Sequence, residues 1–94
     1  MNAPVRQWLE FEPVKGTLIL YEPRNSAAHR EQNLVLVNAN GAIIWIAELP
    51  KNTGPDCFLS VKVENGAVVA NTWSCYALTL DISSGKILEQ VFTK

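Results

Sequence analysis

Histidine is all but missing, with His29 alone, and cysteine is limited to Cys57 and Cys75. A catalytic or metal-binding centre needs several such side chains gathered in one place. Cys57, Cys75, Asp56 and His29 have no zinc-like spacing, so no metal is expected. The chain also lacks a glycine-rich phosphate loop, a nucleophile elbow and a paired-carboxylate motif. A non-enzymatic protein without a cofactor is the expectation. Eight basic against nine acidic residues leave a net charge of -1, so the basic footprint of a nucleic-acid binder is absent. The longest strongly apolar run, Ala42–Ala47, is far short of the ~20 residues of a membrane-spanning helix, and no membrane partner is expected. The N-terminal "MNAPVRQWLEFEP" has acidic residues and no apolar signal core. With so few cysteines, a reduced, cytoplasmic protein is expected.

What is abundant points to sheet. Val, Ile and Thr together make 20 of 94 residues. Such β-branched residues suit a pleated surface, while long stretches with helical spacing are missing. The chain reads as a single all-β domain with strands near Gln7–Glu12, Gly16–Tyr21, Leu34–Asn38, Ala42–Glu48, Phe58–Glu64, Ala67–Trp73, Cys75–Asp81 and Lys86–Phe92. Asn65-Gly66 fits a two-residue hairpin turn, which needs positive φ at both positions. "NANGA" and "DISSGK" place Gly41 and Gly85 at the ends of longer hairpin loops. "EPVKGT" is a weaker turn, broken by Pro13 and Gly16.

The same order occurs twice. Gly41 and Gly85 are 44 residues apart, and aligning them pairs "LVNANGAII" with "LDISSGKIL". The chain therefore divides into repeat-like halves, about 7–48 and 58–92, each a four-stranded antiparallel meander. The first half carries a twelve-residue insertion, "EPRNSAAHREQN". A period of 40 to 45 residues with four strands per unit suits a propeller blade.

"LVNANGAIIW" and "YALTLDISSGKIL" resemble the blade repeats of quinoprotein-type (PQQ-like) β-propellers. Asp81, Gly85, Lys86, Ile87 and Leu88 follow that pattern in the second copy, and Gly41, Ile43, Ile44 and Trp45 in the first. Glu89 stands where the second tryptophan would be, and Asn38 and Ala39 lie near the acidic position of the first. The quinone-binding residues have no match, so the resemblance implies a fold and no cofactor. Two blades cannot close a propeller, which needs at least about four. The eight strands then form a blade pair that assembles with other copies, or a small sandwich, or a barrel.

Charged residues are 18% of the chain, below the ~25% of ordinary soluble domains. "LVLV" is apolar on both faces, and in "AIIWIAE" Ile43, Trp45 and Ala47 lie on one face and Ala42, Ile44 and Ile46 on the other, so both faces of those strands need cover. They are either central strands of a sandwich or strands that expose one face to a partner. Ile44, Ile46 and their neighbour Trp45 are the candidate oligomer interface, and a homodimer is the favoured form. Trp73, in the tight turn "NTWSCY", and the adjacent Tyr76 are candidate partner-binding aromatics. In the resembled repeats a glycine usually stands about where Cys75 does. Arg24, His29 and Arg30 of the insertion are candidate recognition residues, with a short helical turn expected over Ser26–Glu31. Cys57 and Cys75 begin second-neighbour strands, about 9.6 Å apart by the usual strand spacing, too far for a disulfide. The functional expectation is a small protein-binding module, of the kind of a bacterial immunity or antitoxin protein. The rival is a lectin assembled from several chains, with Trp73, Trp45 or Trp8 stacked on sugars; a third reading is a purely structural oligomer.

Overall fold

A computed structural model describes residues 4–24 and 30–93. It contains strands β1 (Val5–Phe11), β2 (Gly16–Tyr21), β3 (Leu34–Val37), β4 (Ile43–Ile46), β5 (Phe58–Glu64), β6 (Ala67–Thr72), β7 (Tyr76–Leu80) and β8 (Ile87–Phe92). They form two open antiparallel sheets, ordered β1-β2-β3-β4 and β5-β6-β7-β8. The two expected meanders are both present, and because neither sheet closes on itself the barrel alternative is excluded. The β1–β2 connection is a 3-10 turn, Glu12–Val14, ended by Lys15 at φ 50°. Asn65 and Gly66 take φ values of 53° and 78° between the paired Glu64 and Ala67, as a two-residue hairpin turn requires.

The two sheets share one hydrogen-bond ladder, irregularities included. Each has an extra residue early in its first strand, Arg6 between Val5 and Gln7 and Leu59 between Phe58 and Ser60. Each has another at the start of its last strand, Ile44 and Leu88. The hairpin turns also correspond. Asn38 N–H donates to the Ala42 carbonyl and Asp81 N–H to the Lys86 carbonyl, both at 2.8 Å. The second of these turns is longer by one residue. Aligning on the glycines therefore pairs β3 with β7 one position out of register: Val37, not Leu36, is the counterpart of Leu80. A slip of one residue exchanges the two faces of a strand, and the consequence is large.

With the register corrected, the sheets pack through non-equivalent faces. The first sheet turns Leu18, Leu20, Leu34, Leu36, Trp45 and Ala47 inward, and the second turns Phe58, Val61, Val68, Ala70, Leu78 and Leu80. Leu36 corresponds to Thr79, and Trp45 to Glu89, on the outer face of the second sheet. Val35 and Val37, on the outer face of the first, correspond to the core residues Leu78 and Leu80. The sheets are thus stacked in one sense, front against back. The smallest dimension of the molecule, 17 Å, accommodates two layers ~10 Å apart.

Four residues of the first half fasten the layers by polar contacts; one of them, Glu48, donates its N–H to the Gly85 carbonyl at 3.0 Å and accepts from Ile87 N–H at 2.9 Å. Gln7 brackets the Val61 backbone, Nε2 to its carbonyl at 2.8 Å and Oε1 from its N–H at 3.3 Å. The buried Asn33 brackets Phe58 likewise, at 2.9 and 2.8 Å. Trp45 lies over the second hairpin turn and donates Nε1–H to the Ile82 carbonyl at 2.9 Å. A Cβ on Gly85 would come within 2.6 Å of its ring, and with φ at 74° that position is one only glycine fills without strain.

Trp45 is therefore corrected from an interface residue to a core residue, 5% exposed. Its neighbours diverge because the bulge at Ile44 resets the alternation of β4. Ile43, expected on the face of Trp45, is instead exposed, as are Ile44 and Ile46. From Ile44 to Ala47 the chain alternates regularly, with Trp45 and Ala47 inside, and only Ile43, before the bulge, departs from that order.

Candidate functional site

The connection between the sheets, "LPKNTGPDC", builds the feature on which the Trp73 turn rests. Asp56 is fully buried. Its carboxylate accepts four hydrogen bonds: from Thr53 Oγ1 at 2.8 Å, Cys57 N–H at 3.0 Å, Ser74 N–H at 3.1 Å and Ser74 Oγ at 2.8 Å. A buried carboxylate is tolerable only when its lone pairs are satisfied in this way. Two of the four donors come from Ser74, so Asp56 ties the inter-sheet loop to the β6–β7 turn.

That turn is Trp73-Ser74-Cys75, with Cys75 N–H closing on the Thr72 carbonyl at 3.1 Å. Cys75 has φ 71°, the left-handed conformation that the usual glycine would supply. Trp73 N–H is bound to the Cys57 carbonyl at 2.9 Å, while its indole remains half exposed. The backbone on both sides of Trp73 is thus committed to the Asp56 loop, and its side chain is left at the rim. Tyr76, the next residue but two, meets Phe92 edge to face with ring centroids 5.3 Å apart. Thr93 donates both its N–H and its hydroxyl to the Cys75 carbonyl. The end of the second sheet therefore presents Trp73, Tyr76 and the exposed Phe92 on one hydrogen-bonded frame. Cys57 and Cys75 form no disulfide.

The insertion residues divide. Arg30 spends its guanidinium on the loop, donating to the Pro50 carbonyl at 2.7 Å, the Gly54 carbonyl at 2.9 Å and Thr53 Oγ1 at 3.0 Å. Its backbone bridges Asp56, and Glu31 N–H donates to the Asp56 carbonyl. Arg30 thus braces the Asp56 loop. Arg24 receives the Glu31 carboxylate on its N–H at 3.0 Å, and its side chain is largely exposed. His29, and most of the helical turn expected over Ser26–Glu31, lie outside the described residues.

Two shallow clefts flank Glu48. One of about 230 Å³ is lined by Arg30, Gln32, Glu48 and Leu49, the other of about 350 Å³ by Glu48, Lys51, Ile87 and Gln90. Neither includes an aromatic ring, unlike most small-molecule sites. Among the described residues no group of three His, Cys, Asp or Glu side chains could hold a metal ion. No helix among them is long and apolar enough to cross a membrane.

The model of a domain of unknown function, DUF7957, matches residues 1–92. The chain belongs to that family. No curated protein and no solved structure matches it. Within this DUF7957 chain, sequence reasoning weighs Asp56 only as a metal ligand and misses its partnership with Ser74, which organises the rim. The available signal was an acidic residue beside Cys57 at the head of β5 and a serine in the turn that faces it, but 18 residues separate them.

Proposed function

We propose that the protein is a non-enzymatic binding module that recognises another protein through the rim formed by Trp73, Tyr76 and Phe92. The observation that carries this reading is the half-exposed indole of Trp73 on a backbone anchored from beneath by a buried carboxylate. Binding hot spots favour aromatic side chains presented without a large ordering cost, and a fixed turn lowers that cost. Arg24, also exposed, adds a cation from the insertion. The concrete version is a small bacterial, cytoplasmic immunity- or antitoxin-like protein that masks a surface of its partner. Thiols that stay apart suit a reducing compartment.

The partner recovered with the tagged chain from its source cells identifies the ligand, and calorimetry with the purified pair tests the site. Trp73→Ala is expected to weaken binding ~30-fold or more, the effect of a ~2 kcal/mol hot spot, while the melting temperature moves by only a few degrees. Equal affinity of Trp73→Ala and the parent chain would defeat the assignment. A glycan that shifts the tryptophan emission of the parent but not of Trp73→Ala would replace the protein ligand with a sugar. Trp8 and Trp73 are both exposed enough for that role, whereas Trp45 is not.

A further inference from the structure

Among the described residues the fold contains two faces of the same kind, one covered by the other sheet and one with large apolar side chains exposed. The inner face of β5–β8 receives the first sheet. Its register counterpart is the outer face of β1–β4, where Trp8, Ile19, Val35 and Ile46 form one continuous row across all four strands. Val37 and Ile43 stand in the next row, with Thr17 and Glu10 completing it. Trp8 is 66% exposed, Ile43 59% and Ile46 47%, while Val35 in the middle of the row is already buried at 6%. Gly41, which corresponds to Gly85, has open space where the Trp45 ring covers Gly85. An apolar face spanning a whole sheet is rarely left in water.

We propose that a second copy of the chain covers this face, with the two first sheets packed against each other about a two-fold axis. Continuity with the intramolecular interface is the first reason, since this face repeats the kind of surface that already accepts a sheet. Charge is the second. Within the two central rows Glu10 is the only charged residue, and it sits on edge strand β1, so two identical faces meet without buried repulsion. The alternative contact between copies continues the front-to-back stack and brings the outer face of β5–β8 against β1–β4. That surface carries Lys62, Val69, Thr79 and Glu89 in one row, with Glu89 in the place of the docking tryptophan, and the apolar face offers its charges no partner. Burying Glu89 and the Lys62–Glu64 pair, which meet at 3.4 Å, against apolar side chains is costly. Area is the third reason. With long dimensions of 33 and 30 Å, each broad face is on the order of 800 Å², which is what each partner contributes to a standard stable interface. The assembly is then four layers deep, with the charge-bearing outer faces of β5–β8 at both ends, and it stops at two chains.

Sedimentation equilibrium on the full chain tests this, because each chain weighs 10.4 kDa and a dimer twice that, about 21 kDa. The parent chain is expected to be dimeric at micromolar concentration. Ile46→Lys and, independently, Trp8→Lys are expected to raise the dimer dissociation constant at least ~100-fold with unchanged circular dichroism. Both sites are already exposed, and each substitution acts twice in a two-fold interface. Thr79→Lys, on the opposite broad face, is expected to leave the mass unchanged. A monomeric parent chain overturns the proposal and leaves this face to a different protein. A ladder of masses beyond the dimer, or dissociation by Thr79→Lys, overturns it in favour of front-to-back stacking. Should Ile46→Lys fail to fold, Trp8→Lys decides. Trp73→Ala leaves the mass unchanged if the rim and the dimer face are separate sites, and dissociation by that variant also overturns the proposal.

Discussion

The two sheets have matching ladders, down to bulges at Arg6 and Leu59 and again at Ile44 and Leu88, yet each buries the face that its counterpart exposes. The first directs a leucine-rich face with Trp45 toward the second, whose equivalent surface carries Lys62, Thr79 and Glu89. The difference shows what a duplicated unit must settle. Each unit has one face that inserts and one that accepts. A pair of units satisfies one of each and leaves one of each at the two ends. Here the leftover inserting face carries Lys62, Thr79 and Glu89 among its apolar residues, while the two central rows of the leftover accepting face are apolar but for Glu10 and Thr17. Sequence similarity between the halves therefore implies nothing about which residues are buried; position in the stack decides.

Removing the contact that joins the halves should give the largest effect. Trp45→Ala is expected to cost about 3–5 kcal/mol in urea denaturation, as large aromatic-to-alanine truncations in cores do. The counterpart Glu89→Ala should be close to neutral, and a comparable loss at both positions would erase the asymmetry. A smaller effect is expected at the hub of the rim. Asp56→Asn should cost about 1.5–3 kcal/mol, the worth of hydrogen bonds to a charged acceptor, and should speed exchange of the Ser74 amide. The smallest effect separates the two hairpin turns. Asp81 in the second is held below the ordinary carboxylate range, first by the Ser83 N–H and then by the hydroxyls of Ser84 and Ser83. Asn38 in the first accepts from Asn40 and Ala42 with no proton to gain. A depressed pKa in the folded state adds stability that is present above the carboxylate range of the unfolded chain and is lost as pH falls through the folded value. Acid should therefore weaken the second turn and spare the first. By NMR, the Ser83 amide should move with the Asp81 titration while those of Asn40 and Ala42 stay still, and the stability gap between the parent and Asp81→Asn should close in acid.

All eight strands could be read from the sequence because their turns advertise themselves: Asn65-Gly66, Gly41 and Gly85 each take positive φ, and the runs between them are rich in β-branched residues. Around β4, alternation separated Ile44 and Ile46 from Trp45 and Ala47 but misplaced Ile43, and it could not say which face is covered. With "LVLV" and "IIWI", every position is apolar, so alternation conveys no direction, and a bulge at Ile44 leaves no trace in composition. The same ambiguity placed Trp45 beside Ile44 and Ile46 in one interface, although only the isoleucines are exposed. In the site, Trp73 stood out by size in a tight turn, but Arg30 looked like a recognition residue because its carbonyl acceptors on Pro50 and Gly54 belong to the backbone, where residue identity is silent.

The straps between the layers have a consequence for how this family can change. Gln7 and Asn33 grip main-chain N–H and C=O groups of Val61 and Phe58, and the Trp45 indole seeks the Ile82 carbonyl. Peptide groups are the same in every sequence, so this clasp is indifferent to side-chain drift on the receiving sheet. Halves taken from diverged members should be interchangeable like the parts of a snap fastener, provided the two amides, the Glu48 carboxylate that accepts from Ile87 N–H, the indole and the glycine beneath it are retained.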